Sequence, residues 1–267
     1  FLTYASNDAA ASPSGPAPGI GAFGAAATPG AAGLRAHPAS PPPPPSNTQP
    51  SSKDQEVQVD VQKLITHARS ILKKGLGMTQ YAVKFYEKAL KALEAVEPEF
   101  EQQSTAQESN ALRYSFACCY SGLANCAIVE GDMPTCAQHV AKLREQYQDV
   151  LSPETEPAQT IAMHAMLSAV GLDRLPQEKR IDQLREVLRG NPKDPPTRAR
   201  LALLLFAEAR LEDCLTECIK IARVHPEWQA GAGMKCVDAV LDYLGQDHIL
   251  AIRTRQLLES LSQAPDP

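Results

Sequence analysis

The sequence lacks the residue spacings that mark the common catalytic and metal sites. Its seven cysteines include no Cys-x-x-Cys pair, and its six histidines include no His-x-x-x-His or His-Glu-x-x-His arrangement. No serine, aspartate and histidine stand in a known triad motif. We therefore predict that the protein is not an enzyme and that it holds no cofactor and no metal ion. We interpret His164 and His248, which fall in helical patterns, as packing residues.

Long apolar runs and an excess of basic residues are also missing. No window approaches eighteen consecutive apolar residues, so we predict no transmembrane segment. The formal net charge of −5 argues against a nucleic-acid-binding protein, and we interpret the four basic residues between 179 and 189 as a solvated helix face. An odd number of cysteines and the absence of Asn-x-Ser/Thr acceptors argue against a secreted protein.

Residues 1–55 have a composition of their own. They are rich in Ala, Gly, Ser and Pro, including the run Pro41 to Pro45, and before Lys53 the only charged side chains are Asp8 and Arg35. Such a segment cannot bury enough apolar surface to offset the entropy of ordering it, so we predict a disordered tail. The G-x-G-x-x-G match at residues 19–24 has no flanking strand and is a coincidence of composition.

The same tail suggests a cellular location. The chain begins at Phe1 rather than Met, and the tail is poor in acidic residues and rich in Ala and Ser. This composition is what we expect beside an organellar presequence. We predict a mitochondrial protein, with the cytoplasm as the alternative.

From residue 56 to 267 the apolar residues recur at helical spacing, and no alternating strand pattern is present. The short connections force neighbouring helices to run antiparallel. We predict an all-α domain, a solenoid of about five antiparallel helix pairs, and we expect Pro98 to end the second helix. The predicted pairs are 57–72 with 79–96, 105–130 with 134–151, 157–171 with 176–189, 195–209 with 212–224, and 228–244 with 248–261.

A degenerate repeat supports the solenoid. The apolar and proline positions of one helix pair recur in the preceding pair, 34 residues earlier, which is the spacing of the tetratricopeptide repeat (TPR). Cys136 and Cys214 fall where that repeat holds alanine, so we interpret the cysteines as small core residues; a metal or regulatory role is the alternative. The recurring positions are Leu201, Cys218, Ile221 and Pro226, matched by Leu167, Leu184, Val187 and Pro192.

The C-terminal third resembles one group of proteins more narrowly. The stretch from Asn191-Pro192 through Arg198-Ala199-Arg200-Leu201-Ala202 to Pro226-Glu227-Trp228 is similar to the TPR region of the bacterial thioredoxin-like co-chaperones called chaperedoxins. In that family the region follows a thioredoxin domain and engages client proteins. Here no thioredoxin unit is recognisable, so the resemblance implies a binding module without redox chemistry.

These observations predict a non-catalytic protein that binds other proteins. The favoured role is a stable accessory subunit of a larger, mitochondrial assembly, and the alternative is a soluble co-chaperone that holds clients. Helix pairs of this kind build a concave groove, lined by the first helix of each pair. We interpret Trp228 either as a hydrophobic staple at a helix start or as a partner-binding residue. The predicted groove residues are Ala199, Leu203, Phe206, Ala207 and Trp228.

Overall fold

The computed structural model describes residues 52–74, 76–176 and 181–262, and in these ranges it contains ten α-helices and no β-strand. The all-α fold class predicted from periodicity is therefore confirmed. The predicted tail lies outside the described residues except for positions 52–55, which already belong to the first helix. The helices are α1 (Ser52–Leu72), α2 (Thr79–Gln103), α3 (Ala106–Glu130), α4 (Met133–Gln146), α5 (Glu156–Val170), α6 (Ile181–Gly190), α7 (Pro195–Ala207), α8 (Leu211–Val224), α9 (Ala232–Leu244) and α10 (Ile249–Ser262).

The helix ends follow local chemistry. The Thr105 side chain accepts a hydrogen bond from the Glu108 backbone N–H, and the Glu108 carboxylate accepts one from Thr105 N–H, so a capping box starts α3. Helices α3 and α5 end at Gly131 and Gly171, whose φ angles of 81° and 67° are left-handed and favour glycine. These signals explain why the three boundaries lie close to the predicted ones.

The predicted end of α2 was wrong. Pro98 lies inside the helix, which continues to Gln103. A proline inside a helix removes one backbone hydrogen bond. Beyond it, Phe100 is half-buried against the core of α1, α2 and α3. Burial of this side chain favours continuing the helix past the proline.

The buried side chains form two clusters that meet at α3. The first cluster joins α1 and α2 to α3 through residues such as Ile65, Tyr86 and Phe116. The second extends from the C-terminal half of α3, at Ala127 and Ile128, through α4 to α10. Every residue of α3 from 115 to 128 except Tyr120 is buried, so this helix belongs to both cores.

The sequence predicted that α5 pairs with α6. In the structure α5 pairs with α9 instead. The two run antiparallel: the Glu154 N–H donates to the Tyr243 carbonyl (3.0 Å) at one end, and Gly171 approaches Gln229 at the other. Helix α6 packs against α7 instead. As a result Val187 of α6 is 53% exposed, although its counterpart one repeat later, Ile221, is buried.

Candidate interaction site

The predicted groove residues of α7 lie in the protein core. Ala199, Leu203, Phe206 and Ala207 are all buried, with exposed fractions of 4% or less. The Phe206 ring meets the edge of Tyr243 on α9, with ring centroids 5.3 Å apart and planes at 74°. Other elements of the chain cover these four side chains. Their contact with a partner stays a prediction.

The C-terminal half of helix α7 is covered on nearly every side. Seven of its thirteen residues are buried, and they include the neighbours Leu201, Ala202 and Leu203, which point in three directions around the helix. A helix that is apolar all round is a buried helix. Helices α6 and α8 pack on α7, and α5 also packs against it. The sequence indicated that α7 is apolar, but its periodicity alone could not show which elements surround it.

Of the five predicted groove residues, Trp228 is the one that keeps accessible surface. It lies in the turn before α9 rather than at a helix start, and its ring is half-buried against the core. Its carbonyl accepts hydrogen bonds from the N–H groups of Gly231 (3.2 Å) and Ala232 (3.0 Å). Gln229 and Ala230 have left-handed φ angles of 48° and 51°, an arrangement that non-glycine residues rarely adopt. The turn therefore holds the indole in one place at the edge of the core.

A buried polar layer between α3 and α5 was not found from the sequence. The Ser121 and Thr160 hydroxyls are hydrogen-bonded (2.7 Å), and the Asn125 amide donates to the Thr160 hydroxyl (3.1 Å). All three side chains are buried, so the polar atoms are satisfied by one another. The sequence feature that could have revealed this layer is the pair Ser121 and Asn125, spaced four residues apart in a mainly apolar stretch. Such pairing favours one register of α3 against α5.

An ion pair extends this layer to α1. The Arg69 guanidinium contacts the Glu156 carboxylate at the start of α5, and the two side chains are 31% and 10% exposed. Nearby, the Tyr86 ring packs directly on Gly122, where a Cβ atom would overlap it. Burial holds the pKa of the Tyr86 hydroxyl well above its usual value. These contacts lock α1, α2, α3 and α5 together and offer no reactive group.

The seven cysteines are free thiols and are all buried. Burial raises the pKa of Cys118 to about 11 and the pKa values of Cys126 and Cys136 to about 12. A neutral, inaccessible thiol is a poor nucleophile. In the part of the chain that the structure describes, no group of three or more His, Cys, Asp or Glu side chains is placed to hold a metal ion.

Of the two histidines singled out in the sequence, His164 lies within α5, whereas His248 lies just before α10 and not in a helix. Burial lowers the pKa of His164 on α5, and Arg144 adds to the effect. His248 precedes α10: its Nδ1 accepts from the Leu250 N–H (3.1 Å) and its Nε2 lies 3.6 Å from a Glu154 carboxylate oxygen. His248 therefore helps to hold the start of α10 near the start of α5, and neither histidine faces an identifiable catalytic partner.

Comparison with known proteins identifies the class. Residues 175–261, which include α6 to α10, match a family model described as tetratricopeptide repeat. This part of the chain is TPR-like, and in the described ranges the chain has ten helices and no strand. No curated protein and no solved structure matches it. The resemblance to chaperedoxins therefore stays a prediction. None of the described helices combines the length and the apolar character needed to cross a bilayer.

Proposed function

We propose that this TPR-like protein is a non-catalytic, stable accessory subunit of a larger, mitochondrial protein assembly. The TPR match supports a role in protein–protein interaction, because stacked helix pairs provide extended surfaces for other proteins. The assembly and its location are the proposed parts. A soluble co-chaperone that holds clients is the alternative.

The observation that supports a permanent partner is the placement of exposed apolar side chains. Among the described residues, the large hydrophobic side chains that remain exposed fall almost entirely in the TPR-matched part of the chain. Exposed apolar side chains that lie together mark interaction sites, as expected for Ile249 and Ile252 three residues apart on α10, and permanent interfaces are the most apolar ones. The exposed residues of that part are Val187, Val224, Met234, Ile249, Ile252 and Leu257; Tyr81 is the one outside it.

The size of the native protein in a lysate tests the proposal. We expect the whole population to migrate in one large complex that persists at high dilution and at high salt. A permanent apolar interface resists both conditions, since salt screens charges but not apolar contacts. Migration mostly at the size of the single chain would refute the subunit role and favour the co-chaperone. Fractionation of organelles, with the protein in the cytosol rather than the mitochondrion, would refute the proposed location.

Trp228 offers a direct test of a partner surface. We expect Trp228→Ala to keep the helical circular dichroism spectrum and to release the protein from the large complex, since half-buried tryptophans are often central to interfaces. The matched control is Tyr81→Ala, which removes an exposed aromatic ring on α2, outside the TPR-matched part. A Trp228→Ala variant that is folded and still fully in the complex would exclude this residue from the interface.

A further inference from the structure

The connection between α8 and α9 places an apolar anchor at the surface of the TPR-matched part. It runs from residue 225 to 231 and carries Trp228, the one tryptophan of the chain. The indole is half-buried, and Val224, which directly precedes the connection, is 49% exposed. Tryptophan is among the residue types enriched at the centre of protein interfaces. We call residues 225–231 the α8–α9 turn.

Contacts with neighbouring elements fix the α8–α9 turn in place. The His225 Nε2 atom lies 2.6 Å from the Lys193 carbonyl oxygen in the connection between α6 and α7. Beside the turn, Gly233 of α9 packs so closely on α8 that a Cβ atom there would lie 2.5 Å from the Ala222 backbone nitrogen. A surface that is already ordered loses little entropy when a partner binds to it. The α8–α9 turn is therefore suited to docking.

Two basic side chains beside the turn have no ion-pair partner among the described residues. Lys193 and Arg223 are both exposed, the first across the contact with His225 and the second two residues before it in the chain. The turn itself holds one exposed acid, Glu227. Five other basic residues between 185 and 220 already pair with carboxylates of the chain, so the charge left for a partner lies at the turn. The paired residues are Arg185, Arg189, Arg198, Arg210 and Lys220.

We propose that the α8–α9 turn docks a segment of a partner protein in which acidic residues flank an apolar side chain. The apolar side chain packs on the Trp228 indole, and the carboxylates pair with Lys193 and Arg223. The proposal rests on the proposed interaction function and names the surface and the chemistry of the contact. Charges at the rim of an interface mainly raise the association rate and select the partner, while the apolar anchor supplies the affinity. The net charge of −5 opposes a nucleic acid as the ligand.

Trp228 reports on its own surroundings, because its fluorescence is the only tryptophan emission of the full chain. The probe is a tryptophan-free peptide in which leucine and phenylalanine stand between runs of glutamate, and a second peptide has lysine in place of each glutamate. We expect the acidic peptide to change the emission saturably, with a Kd at least about ten-fold lower than that of the lysine peptide and rising with salt. An equal response to both peptides, or none to the acidic one, would overturn the proposal. So would tighter binding of a single-stranded oligonucleotide.

Charge reversal locates the contact. Lys193→Glu combined with Arg223→Glu should raise the Kd of the acidic peptide at least about ten-fold and lower that of the lysine peptide. The matched control is Lys88→Glu with Lys91→Glu, which changes the net charge equally on exposed positions of α2. Circular dichroism should be unchanged in both variants, since all four side chains are exposed. An equal loss in the control would overturn the proposal. These outcomes concern the turn alone, whereas migration at the size of the single chain is what refutes the subunit role.

Discussion

Substitution of Phe206 on α7 distinguishes a packing role of this side chain from a partner-binding role. Its side chain is fully buried and its ring meets the edge of Tyr243. Truncation of a buried phenylalanine to alanine removes transfer free energy and leaves a cavity, at a cost of about 3–5 kcal/mol. Native domains are stable by only about 5–15 kcal/mol, so this loss takes a large share of the total. We therefore expect Phe206→Ala to destabilise the fold before it affects any partner contact.

The measurement is equilibrium unfolding in urea, followed by circular dichroism. For a domain of this size each kcal/mol lowers the melting temperature by roughly 2–4 °C, so a second, thermal measurement should show a fall of roughly 6–20 °C. The control is Val187→Ala on α6, whose side chain is exposed and whose loss should change the free energy of unfolding by about 0.5 kcal/mol or less.

A small effect would refute this reasoning. If Phe206→Ala lost less than about 1 kcal/mol and stayed fully helical, the ring could not be part of a close-packed core. In that case the role predicted from sequence, a groove residue that contacts a partner, would be the better explanation. Loss of the native complex by such a stable variant would then support direct contact.

Three further predictions follow from packing. Gly122→Ala should destabilise the fold by about 1–3 kcal/mol in urea unfolding, because its Cβ would overlap the Tyr86 ring; an unchanged midpoint would mean that the ring is free to move. The seven buried thiols should not react with a thiol reagent at pH 8 until the protein is unfolded, since burial keeps the reagent away from them; rapid reaction of the native protein would contradict this. Deletion of residues 1–50 should leave the melting temperature unchanged, and a large fall would show that they belong to the fold.

Most helix boundaries could be read from the sequence because they depend on local chemistry. Periodic apolar residues, the Thr105 capping box and glycines with left-handed φ act within a few residues of the boundary they set. Pro98 was misread because its effect competes with a non-local one, the burial of Phe100. The burial of the cysteines could also be predicted from the sequence, because they occupy positions of the repeat that hold small core residues.

The all-α class, the number of helices in the described ranges and the apolar face of each could therefore be read from the amino-acid sequence. Which of these faces meet depends on the packing of the whole chain. The 34-residue repeat predicted that α5 pairs with α6, yet α5 lies antiparallel on α9 and also packs against α7. An apolar face is complementary to any other apolar face of similar shape, because the hydrophobic effect has no direction. The choice among partners depends on close packing over the whole chain, and no local pattern encodes it.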